Sequence, residues 1–350
     1  MSRVSVVSVI LPVYNGERFL VQAIESILHQ SHADFELLVL DDGSSDRSTD
    51  IARTYAETDR RIHVHVQPVN RGITATLNAG VHLARGEFIA IANQDDVCLP
   101  ERLAKQVAFL RGRQEVVIVG AAAQIIDEQS VVRTLKSYPV EPEMAAWRMY
   151  FGSTLLHPVS TLRRRALLEI GGYPTGYRGG SEDYAMNVRL ARIGRVANLP
   201  DVLLQYRAHS GNFTLLRSEE QQAEADRIVA EQCEWLTGLP VPRELARGLR
   251  GLSIDQFPQN PADIGRLATL VQTLYKSFVN IMKLSSSERR LVAADAGMRL
   301  LQLAALAGCR APTLSAHLVV AAIRTSPASV STFGQKVGRH LYGRIRGVRI

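Results

Sequence analysis

The sequence predicts an α/β fold, with a mostly parallel central sheet flanked by helices and a mainly helical C-terminal extension. Three observations carry this. The first hundred residues alternate between continuous β-rich apolar runs and segments with apolar residues at helical spacing. Polar clusters (Pro12 to Asn15, Asp41-Asp42 and Asn93 to Asp96) close successive apolar runs. From about Leu215 the pattern becomes helical and polar-interrupted, punctuated by Pro240, Pro242, Pro258 and Pro261.

The elements follow in order. "VSVVSVIL" reads as a strand buried on both faces. After a turn at Tyr14-Asn15-Gly16, Phe19, Leu20, Ala23, Ile24, Ile27 and Leu28 recur as one face of a helix. "FELLVL" is the second strand, ending on Asp41-Asp42-Gly43-Ser44, and Ser45 or Asp46 is placed to cap a helix through about Tyr55. "IHVHV" gives a third strand, "TATLNAGVHLA" a third helix and "EFIAIA" a fourth strand. Such alternation builds right-handed βαβ units, whose ligands collect at the carboxyl ends of the strands. Residues 112–210 read as short strands, loops and two helices. One helix follows "GGYPTGYRGGSEDY", with Glu182 and Asp183 in its first turn and Val188, Ala191 and Ile193 on its buried face.

The chain has 350 residues, 46% hydrophobic and 21% charged, room for about two domains at roughly 150 residues each. The expected division is 1–215 and 216–350, the former split into halves 1–111 and 112–215. Cys98, Cys233 and Cys309 are too few and scattered for a disulfide framework or zinc site, which points to a reducing, cytoplasmic setting. The N-terminal apolar run lacks a small-x-small cleavage site and reads as a strand, not an export signal. No apolar stretch reaches the roughly 20 residues of a membrane span. The net charge of +7 is uneven, because no Asp or Glu occurs from Ala296 to Ile350. Arg299, Arg310, Arg324, Lys336, Arg339, Arg344, Arg346 and Arg349 all lie there. A basic tail of this kind is solvated or attracted to anionic lipid at the inner membrane face, and specific nucleic-acid binding is not expected.

The first strand-to-helix turn, "PVYNGERF", has no G-x-G-x-x-G, and the chain lacks the P-loop and G-x-S-x-G patterns. Dinucleotide-dependent, P-loop and serine-hydrolase chemistry are thereby set aside. The strand ends offer carboxylates and amides instead. Carboxylates repel a diphosphate unless a divalent cation lies between, and oxygen ligands suit Mg²⁺ or Mn²⁺. Asp95 is the candidate ligand.

In order, "VSVILPVYNGERFLVQAIESILHQ", "FELLVLDDGSSDRSTDIA", "NRGITATLNAGVHLARGEFIAIANQDD", "LPERLAKQ", "HPVSTLRRRALLEIGGY", "SEDYAMNVRLARIG" and "LPDVLLQYRAH" resemble the family 2 glycosyltransferases over about residues 4–212. The resemblance implies a GT-A (Rossmann-like) fold and inverting transfer from a nucleoside-diphosphate sugar, with a UDP- or dTDP-sugar as donor and a glycan or lipid-linked acceptor. On it, Pro12, Tyr14, Asn15 and Glu17 form the first donor loop. Asp41 faces the nucleotide base with Asp42 beside it, and Asn70 and Arg71 belong to another nucleotide-side segment. Asn93-Gln94-Asp95 stands at the D-x-D motif, its last acid a metal ligand. Asn at its first position departs from the pattern, which puts metal affinity and ribose contacts in doubt.

The same resemblance makes Asp183 the catalytic base, with Glu182 on the acceptor side, and gives His209 a metal or diphosphate contact. Read without it, Glu182 and Asp183 are favourable charge at a helix N-terminus, and His209 and His157 are polar loop residues. The glycines near His157 suit a mobile acceptor loop. Trp147 and Trp235 read as packing residues and Cys98 as a small core residue. Asp96 supports the loop or caps the next turn. A nucleotidyltransferase and a non-catalytic sugar-nucleotide binder are the alternatives.

Overall fold

The computed structural model describes residues 5–177, 179–209, 218–254 and 260–329. The basic tail from Lys336 onward lies outside them. The chain divides into two compact units, Met1–Ala146 with Ser153–Glu224, and Trp147–Gly152 with Ala225–Ile350.

Among its described residues the first unit holds nine strands: β1 (Val7–Val13), β2 (Phe35–Asp41), β3 (Ile62–Val66), β4 (Phe88–Ile91), β5 (Val97–Cys98), β6 (Val116–Ile126), β7 (Val132–Lys136), β8 (Thr161–Arg163) and β9 (Arg195–Arg207). They form one sheet in the order β3-β2-β1-β4-β8-β6-β9-β5, with β7 against β6. Every residue of β1, β2 and β4 is buried, as continuous apolar runs without alternation require of strands covered on both faces. Around them lie α1 (Glu17–Leu28), α2 (Ser48–Thr58), α3 (Ile73–Leu83), α4 (Arg102–Gly112), α5 (Pro142–Arg148), α6 (Arg164–Glu169) and α7 (Glu182–Ile193). Helix α1 buries Leu20, Ala23, Ile24 and Ile27 against the sheet, the face its spacing foretold.

Strands β1, β2, β3 and β4 run parallel. Strand β8 is antiparallel to both β4 and β6, so β6 points the same way as β4, and β9 is parallel to β6. The carboxyl ends of β1, β2, β3, β4, β6 and β9 therefore share one sheet edge. That edge is where ligands of open α/β sheets bind.

Several local expectations need correction. The middle section is not made of short strands alone, because β6 has 11 residues and β9 has 13. Helix α2 starts at Ser48 without a side-chain cap; Asp46 instead accepts from Ser48 N and Glu17 N, tying two loops together. In α7, Val188 is buried but Ile193 is exposed at the last turn, and Tyr184, Met186 and Leu190 supply the packing face.

The second unit is helical: the later part of α8 (Ser218–Thr237), then α9 (Arg243–Ile254), α10 (Pro261–Met282), α11 (Ser286–Ala307) and α12 (Pro312–Thr325). Trp147 is fully buried there, its ring 5.2 Å from Phe151 and 5.5 Å from Phe278, and its Nε1 donates to Asp295 at 2.8 Å. Trp235, read as a packing residue, is 47% exposed. Among the described residues, no helix is long and apolar enough to cross a membrane.

Candidate active site

At the end of β1 the chain turns through Asn15, whose φ of 49° is left-handed, a conformation asparagine tolerates better than most residues. Tyr14 N donates to Gln94 Oε1 at 2.8 Å, and Gln94 Nε2 returns a bond to Tyr14 O at 3.1 Å. The β1 and β4 loops are thus clamped together through one amide. Asn15 N donates to Ser44 Oγ, and Asn15 Oδ1 accepts from Ser45 N, so the β1 and β2 loops are linked as well. Glu17 Oε2 accepts from Arg47 N at 3.0 Å. Pro12 is buried while the Tyr14 ring is 47% exposed.

Asp41 and Asp42 are both buried. Asp41 accepts from Ser44 N and from the Thr49 hydroxyl. Asp42 accepts from Arg71 N at 2.8 Å and Gly72 N at 2.9 Å, which satisfies two free N–H groups at the start of α3. Asn70 adds a bond from Gly72 N, while the Arg71 side chain is exposed. Gly43 turns here at φ 75°, with Val69 backbone so near that a Cβ would sit 2.8 Å away. Pro12, Tyr14, Asn15, Glu17, Asp41, Asp42, Asn70, Arg71 and Gln94 therefore belong to one connected set of loops at the sheet edge.

Beside them His209 Nε2 lies 2.8 Å from Asp95 Oδ2. Arg207, two residues earlier, is buried behind the pair. Its backbone N donates to Asp96 Oδ1 and its Nε to Asp95 O, each at 2.9 Å. Its remaining nitrogens reach Asp127 O, Ser130 Oγ and Gln22 Oε1, and the guanidinium lies 4.6 Å over the Phe19 ring. Asp96 is buried, with Oδ2 lacking a partner. Burial, then the Asp95 charge, pushes its carboxyl well above the usual range. Asp96 is therefore harder to ionise than an exposed carboxyl. Asn93 is half-buried and makes no hydrogen bond among the described residues.

Among the described residues no three His, Cys, Asp or Glu side chains converge as a closed metal site. A carboxylate oxygen and an imidazole nitrogen at one point nevertheless suit a divalent ion that keeps open positions for substrate oxygens.

A second cluster surrounds Asp183 in the first turn of α7. Its Oδ1 accepts from Tyr184 N at 2.6 Å. Burial raises the Asp183 carboxyl, while His157 and Lys136 oppose the rise. Glu182 is buried with Oε2 unpartnered. Its carboxyl is pushed up to about 8 by burial, then by the charges of Asp183 and Glu224. His157 Nε2 is 2.8 Å from Tyr173 Oη, and burial lowers the imidazole against the pull of Asp183. Tyr173 is fixed by reciprocal bonds from its backbone to the Asn78 amide. The approach to α7 is tethered, because Gly179 N donates to Glu224 Oε1 and Gln221 Nε2 donates to Gly180 O. Cys98 is buried as a core residue, with Arg102 Nη1 3.0 Å from its sulfur.

Sequence reasoning passed over Arg207, Lys136, Tyr138 and Tyr173. The signal for Arg207 was its i, i+2 relation to His209 on an extended strand end, which places both on one side. Nothing local marked Lys136 or Tyr138, both of which feel the charge of Asp183.

The family model described as Glycosyl transferase family 2 matches residues 8–171. The amylovoran biosynthesis glycosyltransferase AmsE of Erwinia amylovora is 32% identical over 207 residues, covering 58% of this chain and 76% of its own length. The fold is similar to S. aureus TarS 1–349 in complex with UDP-GlcNAc (TM-score 0.56, 18% identity, 93% of this chain and 91% of that one). It is also similar to the mannosyltransferase PcManGT from Pyrobaculum calidifontis with GDP-Man and Mn²⁺ (TM-score 0.53, 19% identity, 93% and 88%). The α/β sheet with a helical C-terminal region is thus the GT-A architecture, and the chain belongs to glycosyl transferase family 2.

Proposed function

We propose that this glycosyltransferase moves a sugar from a UDP- or dTDP-sugar to a hydroxyl of a glycan or lipid-linked acceptor, with inversion, in surface polysaccharide synthesis at the cytoplasmic face of the membrane. The observation carrying this reading is the sheet edge, where the Tyr14–Gln94 and Asp42–Arg71 loops adjoin the Asp95–His209 pair. TarS and PcManGT, which share the fold, have nucleotide sugars bound, and AmsE acts in polysaccharide biosynthesis.

The Tyr14 ring and the Arg71 guanidinium are exposed beside these loops, suited to a nucleobase face and to phosphate. Asp95 and His209 would hold Mn²⁺ or Mg²⁺. When bound, the ion offsets charge on the donor's diphosphate oxygens. Asn93 keeps a free amide for ribose or sugar hydroxyls. Asp183 takes the proton from the acceptor hydroxyl as its oxygen bonds to the anomeric carbon and the bond to the diphosphate breaks on the opposite face. A positioned base of this kind contributes about 10²–10⁴-fold.

The test is a panel of nucleotide sugars assayed for metal-dependent hydrolysis and thermal stabilisation, with Asp183→Asn alongside. The reading expects a uridine or deoxythymidine donor to respond and Asp183→Asn to bind it but turn it over poorly. Undiminished turnover by a folded Asp183→Asn protein removes the base assignment. Pyrophosphate release from nucleoside triphosphates would instead favour a nucleotidyltransferase, and binding without any turnover a non-catalytic binder.

A further inference from the structure

We propose that the second compact unit carries a docking groove for anionic phospholipid headgroups, formed between α10 and α12. A cavity of about 710 Å³ opens there, with Lys276 from α10 and His317 and Arg324 from α12 on its walls. Its apolar lining includes Val271, Leu300 and Val320, and among the described residues no Asp or Glu takes part.

The pairing of charges elsewhere in the same unit makes this absence informative. Asp226 binds Arg247 and Arg250, and Asp295 binds Arg148 and Arg299. Both carboxylates are already committed to other cations. Among the described residues, the side chains of Lys276, His317 and Arg324 make no hydrogen bond or ion pair. Lys276 and Arg324, two fixed cations on one concave wall, repel one another unless an anion lies between them.

The flanking surface identifies the kind of anion. His317 and Arg324 are seven residues apart on α12, two turns along one face. Between and beside them α12 exposes Val320 (45%) and Ile323 (43%). A helix face that sets a guanidinium and an imidazole beside exposed aliphatic side chains suits the bilayer interface, where the guanidinium meets phosphate and the aliphatic groups enter the acyl boundary. A free phosphate or a nucleic acid would gain nothing from Val320 and Ile323. The sequence carries the same sign onward: no acid follows Asp295, and Lys336, Arg339, Arg344, Arg346 and Arg349 come later in the chain. The groove thus places a defined headgroup site within the second compact unit.

The experiment is co-sedimentation of the full chain with vesicles of phosphatidylglycerol and phosphatidylcholine, compared with phosphatidylcholine alone. Binding is expected to the anionic vesicles, falling as salt rises. Lys276→Glu combined with Arg324→Glu is expected to lower partitioning by at least about tenfold, with unchanged thermal midpoint and donor hydrolysis. Lys276→Gln with Arg324→Gln repeats the test should the reversals disturb folding. Val320→Ser with Ile323→Ser is expected to weaken binding to the same vesicles. Unchanged partitioning of the folded charge variants overturns the proposal and leaves any membrane attraction to the tail. Full release by inorganic phosphate at constant ionic strength also overturns it, in favour of a free-phosphate site.

Discussion

His209 Nε2 and Asp95 Oδ2 lie 2.8 Å apart although 114 residues separate them in the chain. The pairing arises because β4 and β9 end at the same sheet edge, and Arg207 holds Asp95 O from behind. If this pair is the metal position, removing either side chain weakens the metal response without unfolding the protein. His209→Ala is expected to raise the Mn²⁺ concentration needed for thermal stabilisation by about 10–100-fold, the scale on which metal sites respond to lost supporting contacts. Asp95→Ala is expected to abolish the response. Retention of wild-type Mn²⁺ dependence in Asp95→Ala would sink the assignment.

Arg207 is the connection between that pair and the turn leading into β7. It is 1% exposed and its donors serve four loop acceptors plus Gln22. Arg207→Ala strands several buried acceptors at once, at a cost of about 3 kcal/mol or more. Arg207→Lys restores the charge but not the forked geometry, and is expected to recover part of that loss. Denaturant melts of the two variants check the order; equal stability of all three proteins would contradict it.

Asp42 separates a structural duty from a ligand duty. Both its oxygens accept from backbone N–H groups at the start of α3, one from Arg71 and one from Gly72. Asp42→Ala is expected to cost about 1–2 kcal/mol, as lost helix caps do. Asp42→Asn keeps one acceptor and is expected to lose less. Donor affinity should fall in step with stability, since the Arg71 loop moves with its cap. Stability unchanged in Asp42→Ala would refute the capping role.

The fold was legible where burial leaves a simple mark. Strands β1, β2 and β4 are covered on both faces, so their apolar runs needed no partner to be recognised. Helix α1 shows its buried stripe directly. Family 2 membership was legible for a different reason, because the motifs sit at strand and helix ends whose order the sequence preserves. What stayed hidden depends on pairing across distance. Arg207 looks like any strand-end arginine until β9 is set beside β6 and β5. Lys136 reaches the field of Asp183 through an antiparallel ribbon whose register shifts at Ile125 and Ile126. Ile193 was misassigned because helical spacing alone does not tell where α7 leaves the sheet.

Glu182 and Asp183 yield a pH prediction whose sign follows from their burial. Asp183 works as a base only when ionised, and burial raises its carboxyl, so the acid limb of kcat/KM should lie above the ordinary carboxylate range. Glu182, pushed up to about 8, is neutral through most of that limb. Glu182→Gln mimics that neutral form, so it is expected to keep the acid limb and most of the turnover at pH 7. Stability separates the variants at higher pH. A carboxyl raised from 4.5 to about 8 on folding favours the native state fully below 4.5, and that contribution is lost as pH rises through 8. Wild-type protein should therefore lose thermal stability between pH 5 and pH 9, by a few kcal/mol at about 1.4 kcal/mol per unit. Glu182→Gln should lose much less over the same range. Parallel melting curves for the two proteins across that range would show that Glu182 ionises normally in the fold.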